Sequence, residues 1–226
     1  MDKSMNYLDG NWTFIFDMDG LMLDSELIAH QAWQRAGADF GYVLTDEMML
    51  ECVGSSSVLS EMIQKKYLGL DYPFQNIRER KMIYFEKSIM ENGISVKKGL
   101  IELLDLLESK QIHKVVASST EQPHVNQRLK ITNLLHRFDA IVSGSDVEKV
   151  KPDPALFLKA ARLIGAEPRQ CMVLEDSPIG VKAADAAGML VILVPDRAPI
   201  PAEISSMVVG VFPSLDDVRL YLLGQP

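Results

Sequence analysis

Cysteine is scarce: Cys52 and Cys171 are the only two among 226 residues. They stand far apart and in no metal-like spacing, so neither a disulfide framework nor a thiolate zinc site organises this chain. Both read as reduced core residues, in keeping with a cytoplasmic setting. The four histidines, His30, His113, His124 and His136, form no paired motif either, which argues against zinc. Positive charge is also short, with 23 Lys and Arg against 31 Asp and Glu and a formal net charge of -8. A chain this acidic lacks the electrostatic footprint of a nucleic-acid binder. It offers no bulk attraction to an anionic substrate, so any anion site must be built locally from a few placed cations and amides. No apolar run is long enough to span a bilayer. Residues 1–11 are polar, carry no secretory core and read as a loose tail. The expected partner is therefore neither nucleic acid nor membrane, and a monomer is expected.

What is present is ordinary for a globular protein, with 47% hydrophobic and 24% charged residues. The length suits one full domain with a modest insertion. Trp12 to Phe16 is an apolar, aromatic and β-branched run, which predicts a strand. From Asp24 to Val96 the pattern is helical throughout. A helix starts at Ser25 and stops at Gly37, a second is capped by Thr45, and others cover Val58–Tyr67 and Phe74–Asn92. Trp33, Tyr84 and Phe85 recur at helical spacing and read as the core of this part, with Met48 and Met49 as packing. Arg78, Arg80 and Lys81 read as a solvated helix face, with Lys81, or else Arg80 or Arg78, as the alternative source of a cation for the site. After Lys97-Lys98, taken as a surface hinge, strands and helices alternate. Strands are predicted at His113–Ala117, Asp139–Val142, Cys171–Leu174 and Leu190–Val194. Val115-Val116 and Val191 to Val194 are apolar without alternation, as in parallel strands covered on both faces. The fold class is α/β: a doubly wound parallel sheet with a helical insertion after its first strand.

In such sheets ligands bind beyond the carboxyl ends of the strands. Those ends carry Asp17 and Asp19, then Ser118-Ser119-Thr120, then Lys151 just beyond the third strand, then Glu175-Asp176. Taken singly each has a plainer explanation: a turn, a helix cap, a surface charge, a helix start. Together, in an order one fold would bring to one edge, they suit phosphoryl chemistry. Crowded carboxylates call for a hard cation, and magnesium takes one or two of them plus waters and substrate phosphate. A lysine and hydroxyls suit the remaining phosphoryl oxygens. An aspartate can act as nucleophile, and a second acid nearby can move the proton.

Asp17-Met18-Asp19-Gly20 with Leu21 to Glu26, then Ser118, Lys151 in Lys-Pro-Asp-Pro, and Glu175-Asp176 before Ser-Pro-Ile-Gly180 resemble the four ordered motifs of the haloacid dehalogenase-like hydrolases. The resemblance covers nearly the whole chain from Trp12. It implies a Rossmann-like catalytic core of residues 12–23 and 97–226 and a helical cap of residues 24–96, placed as in the beta-phosphoglucomutase-like branch. That branch includes sugar-phosphate phosphatases and pseudouridine-5'-phosphatase. The implied activity is magnesium-dependent hydrolysis of a small phosphorylated metabolite, a sugar phosphate or nucleotide-like compound, through an aspartyl-phosphate. By the same resemblance Asp17 is the nucleophile and Asp19 the general acid and base. Ser118, Ser119 and Lys151 bind phosphate, and Gly54 belongs to the cap loop that faces the site. Asp17, Asp19, Asp176 and Glu175 form the metal shell, Asp19 through its backbone carbonyl. Gly54-Ser55-Ser56-Ser57 has serines where the mutase has an arginine, which favours a phosphatase over a hexose-phosphate mutase, the alternative reading.

Overall fold

The computed structural model describes residues 7–9, 11–53, 55, 57–196 and 200–224. Strand β1 (Thr13–Phe16) is followed by helices α1 (Glu26–Asp39), α2 (Asp46–Cys52), α3 (Ser57–Leu68) and α4 (Phe74–Asn92). The chain then alternates: α5 (Leu100–Ser109), β2 (His113–Ala117), α6 (Gln122–Ile131), β3 (Ala140–Val142), α7 (Ala155–Ile164) and β4 (Cys171–Glu175). It ends with α8 (Pro178–Ala186), β5 (Leu190–Leu193), β6 (Gly210–Val211) and α9 (Leu215–Leu222). The six strands form one sheet in the order β3-β2-β1-β4-β5-β6, every pair parallel. This is the doubly wound α/β fold expected from the sequence, with helices inserted after the first strand. The two-residue β6 was not foreseen, being too short to show a period.

Successive side chains of a strand point to opposite faces, and β1 divides the core accordingly. Phe14 and Phe16 join Leu100, Leu103, Leu104 and Leu107 of α5 on one face. Ile15 joins Leu156, Phe157 and Ala160 of α7 and Val181 and Ala184 of α8 on the other. Each of the Phe, Leu, Ile and Val side chains among them, fully removed from water, contributes about 1.5–3 kcal/mol, so a strand of four residues is fixed from both sides. Tyr7 meets the Trp12 ring edge-on at 5.1 Å, and Tyr7 and Leu8 pack on the first cluster. The expected loose tail is thus anchored at these two residues, while Met1 to Asn6 and Gly10 lie outside the described residues.

The inserted helices have small cores of their own. Ala36, Tyr72, Phe74 and Ile77 form one, Ala32, Phe85 and Ile89 a second, and Leu44, Met48 and Met49 a third. Trp33 and Tyr84 pack against these, as their spacing suggested. Gly37 does not stop the first helix, which runs on to Asp39. A Cβ there would sit 2.1 Å from Leu44 Cδ1, so Gly37 allows close approach rather than an end. Thr45 caps α2, its hydroxyl accepting from the Met48 amide at 3.4 Å.

The two chain crossings between sheet and insertion run side by side. Leu23 and Val96 form an antiparallel bridge, the Asp24 amide donates to Ser95 O at 2.9 Å, and the Lys97 amide to Met22 O at 2.9 Å. Lys97 is not a plain surface residue. Its amine lies 2.7 Å from Asp196 and 3.3 Å from Asp24, tying the crossing to the loop after β5.

Gly99, at the start of α5, has φ +85°, and an added Cβ would fall 2.0 Å from the backbone nitrogen of Asp216. Gly99→Ala combines a left-handed backbone with a clash against a helix start. We expect it to lower stability by at least about 2 kcal/mol. A urea titration checks this, and an unchanged midpoint would contradict the packing described.

Candidate active site

β1 has β2 on one side and β4 on the other, so the chain winds away from it in both directions. The crevice at its carboxyl end is the place where such sheets bind ligands. Asp17 follows the last residue of β1, and its amide donates to Leu174 O at 3.0 Å, which extends the pairing with β4 by one residue. Lys151 enters from the loop between β3 and α7. Its amine donates to Asp17 Oδ1 and, at 2.6 Å, to Glu175 Oε1. Asp17 is 7% exposed and Glu175 0%. Glu175 Oε2 accepts from the amides of Asp176 and Ser177 at 3.0 and 3.1 Å and from Ser177 Oγ at 3.0 Å. Both Glu175 oxygens are therefore engaged by protein donors. The Asp176 carboxylate lies against Gly20, where a Cβ would come within 2.2 Å of Oδ2. Gly20 also has φ +90°, so the turn after Asp19 needs glycine on both counts.

Ser118, buried at the end of β2, accepts from the Thr120 amide at 3.1 Å. Ser119 is exposed beside it. Asp19 is held by the Thr120 hydroxyl at 2.9 Å and by Arg128 Nη1, which is 2.8 Å from each carboxylate oxygen. A cavity of about 810 Å³ opens over these residues, walled on the sheet side by Asp17, Asp19, Ser118, Ser119, Lys151 and Asp176. The inserted helices supply the opposite wall, with Glu26, His30, Gln34, Asp46, Glu47 and Lys81. Asp46 Oδ1 there receives Gln34 Nε2 at 2.8 Å and meets His30 Nε2 at 2.9 Å. Four distant strand ends thus meet at one cavity. Gly54 and Ser56 lie outside the described residues, while their neighbour Ser55 lines the cavity.

A model of the haloacid dehalogenase-like hydrolases matches residues 14–194 of the chain. The chain belongs to that family. Among curated relatives, a phosphorylated carbohydrates phosphatase of Thermotoga maritima is 31% identical over 180 residues, 77% of this chain and 81% of that protein. A fructose-1-phosphate phosphatase of Escherichia coli is 31% identical over 179 residues, covering 77% and 92%. Among solved structures, a hydrolase from Pseudomonas syringae superposes with a TM-score of 0.78 at 25% identity, covering 94% of this chain and 98% of that one. A beta-phosphoglucomutase from Clostridium difficile gives 0.74 at 22% identity, covering 94% and 95%. The α/β core with inserted helices is thus the arrangement of the beta-phosphoglucomutase-like branch.

The electrostatics of this hydrolase site follow from burial. Burial is the largest influence on Asp17 and pushes its carboxyl up to about 7, with the Glu175 and Asp19 charges adding to it and Lys151 opposing. Asp176 is likewise held well above the usual carboxylate range, by burial and then by the charges of Glu175 and Asp17. Burial disfavours charge on Lys151, but Asp17 and Glu175 outweigh it and hold the amine above its ordinary value. One amine thus faces three acids, and the arrangement favours further positive charge. Among the described residues no three His, Cys, Asp or Glu side chains stand placed to hold a metal ion together.

Lys81 departs from the expectation of a solvated helix face. It lines the cavity with its amine 4.4 Å from the Phe85 ring, and burial pushes it down to about 8. Arg78 and Arg80 are exposed, and Arg80 lies 3.8 Å from Asp39. Cys52 also lines the cavity, whereas Cys171 is buried as read. Sequence reasoning missed Arg128 and Glu86. The available signal was the stripe Val125, Arg128, Leu129, which places an arginine on the buried face of α6.

A carboxyl raised in the folded state keeps its proton where the unfolded chain has lost it. It therefore lowers stability as pH rises from about 4 toward 7. Without divalent ions, Asp17→Asn is expected to become stabilising relative to wild type across that window, with a gap that widens toward pH 7. Urea midpoints at pH 4.5 and 7 measure the gap. A constant gap would contradict the burial of Asp17.

Proposed function

We propose that this hydrolase is a magnesium-dependent phosphatase of small phosphorylated metabolites, with a sugar or sugar-alcohol monophosphate as the preferred class. The observation that carries the reading is the Lys151 amine lodged between Asp17 and Glu175 at the floor of the cavity. A cation placed there opposes the effect of burial on Asp17, favouring its ionised form, and stands ready for phosphoryl oxygens. The relatives named for carbohydrate phosphates support the substrate class. So does the helical wall, where Glu26, Asp46 and Glu47 stand with Lys81 as the one lysine or arginine of that wall among the described residues. Acids, amides and an imidazole suit hydroxyls, while a bisphosphate would need more positive charge.

In this reading a carboxylate oxygen of Asp17 attacks phosphorus, and the bond to the leaving alkoxide breaks. Asp19 gives the leaving oxygen its proton, and then takes one from the water that attacks phosphorus and frees Asp17. Ser118, Ser119 and Lys151 hold the phosphoryl oxygens. Residues 24–96 act as the cap and shield the site from bulk water, with residues 12–23 and 97–226 as the core. The loop at Gly54 would face the substrate. Asp17, Asp176 and the Asp19 carbonyl would hold magnesium, which supplies charge neutralisation for the transferring group. Glu175, its oxygens taken by Lys151, Asp176 and Ser177, orients that shell rather than completing it.

Phosphate release from a panel of sugar phosphates, hexitol phosphates and nucleotides, with and without magnesium, tests the reading. We expect turnover that chelation abolishes, and at least about a thousandfold loss in Asp17→Asn. Full activity of that variant would remove the nucleophile. The alternative of a hexose-phosphate mutase predicts glucose 6-phosphate as the main product from beta-glucose 1-phosphate. Free phosphate is the outcome expected here. Lys81→Met should raise KM for a sugar phosphate more than it lowers kcat, because the lysine stands on the wall opposite the reacting atoms.

A further inference from the structure

Arg128 is the largest fully buried side chain among the described residues, at 2% exposure. It lies on α6, behind the catalytic edge, and does not line the cavity. Nη1 contacts both oxygens of Asp19 at 2.8 Å and lies 3.5 Å from the Thr120 hydroxyl. Nη2 donates to Glu86 Oε1 at 2.5 Å, and Glu86 belongs to α4 of the inserted helices. The guanidinium carbon stands 4.8 Å from the centre of the Phe85 ring, also on α4. His124, one turn earlier on α6, points Nδ1 at the same Glu86 oxygen at 3.3 Å. Glu86 Oε2 and Arg128 Nε are buried and make no hydrogen bond among the described residues. The guanidinium is thus committed to two carboxylates, one from the sheet's first loop and one from the insertion.

We propose that Arg128 is a positioning residue for Asp19, and that Glu86 couples this positioning to the seating of the inserted helices. The inference rests on Asp19 as the acid and base of the proposed reaction. A proton-transfer group must lie within hydrogen-bond reach of the oxygen it serves. Asp19 stands on a loop, where its side chain is free to turn unless something holds it. Arg128 and Thr120 hold it from the buried side, which leaves the carboxylate on the cavity wall. Arg128 touches no reacting atom and acts only through Asp19. A guanidinium is suited to this, because its planar fork serves two carboxylates in fixed directions where an ammonium supplies a single point of charge. The other end of the fork is fixed by α4. A shift of the insertion against the sheet therefore moves the grip on Asp19, and the acid is held in place only while the helices sit as they do here.

The test uses two generic substrates, phenyl phosphate and 4-nitrophenyl phosphate, with magnesium and the full-length protein. Nitrophenolate leaves without help, whereas phenolate needs a proton. kcat/KM reports events up to loss of the leaving group, so a misplaced Asp19 harms the first substrate selectively. Arg128→Met is expected to lower kcat/KM for phenyl phosphate about a hundredfold, and for 4-nitrophenyl phosphate less than about tenfold. Arg128→Lys should narrow that difference, and Glu86→Gln should show it in weaker form. Partial unfolding scales both substrates equally, so the ratio is unaffected by it. If the Arg128 variants yield no folded protein, the Glu86→Gln ratio decides alone. Equal losses on both substrates, or none, would overturn the proposal. Asp19→Asn is measured alongside. If it shows no leaving-group selectivity, the role of Asp19 itself is wrong. If it does and Arg128→Met does not, only the positioning role falls.

Discussion

The buried contact of Lys151 with Asp17 and Glu175 is the constraint on which the rest of the site depends. Three acids, Asp17, Glu175 and Asp176, interact within a largely desolvated space that holds one amine. Ionised carboxylates cannot be buried together without compensation. Lys151 neutralises part of the charge and two backbone amides satisfy Glu175. The remainder is met either by a proton, as the raised Asp17 and Asp176 carboxyls indicate, or by a metal ion with substrate. The same imbalance that weakens the folded protein makes the site receptive to a cation.

This charge cluster can exist only because the sheet is built without regard to it. β1 is fixed on one face by α5 and on the other by α7 and α8, so the position of Asp17 is set by apolar packing one residue upstream. Each neighbouring strand brings its own polar residue to the same edge for the same reason. The stability of the scaffold resides in its apolar faces, while the edge stores unfavourable electrostatics. Separating the two lets the edge be polar and strained without loss of fold.

The inserted helices meet the sheet through charged pairs and through apolar contacts. Their cores are separate from those of the sheet. Besides the paired crossings at Leu23 and Val96, the links are Lys97 with Asp24, Arg128 with Glu86 and with the face of the Phe85 ring, and Ile94, which packs against a core on each side. The cavity lies between the two parts and takes its floor from one and its opposite wall from the other.

The sequence by itself determined the sheet, the inserted helices and the four polar strand ends. Those features are local: a run of apolar residues, a helical stripe, a turn rich in Asp and Gly. Asp17, Asp19, Ser118 and Asp176 were visible because each stands at or next to the boundary of such a run, and Lys151 because of the Lys-Pro-Asp-Pro stretch before α7. Only the tertiary structure decided that Lys81 turns into the cavity while Arg78 and Arg80 face solvent. It also decided that Gly37 serves packing instead of ending a helix, and that Arg128 joins Asp19 to Glu86. Arg128 is 109 residues from one partner and 42 from the other. No local pattern encodes such pairings, because they depend on how separately specified elements dock. Burial, which decides the charge state of Asp17 and the meaning of Lys81, is likewise a property of the assembled molecule.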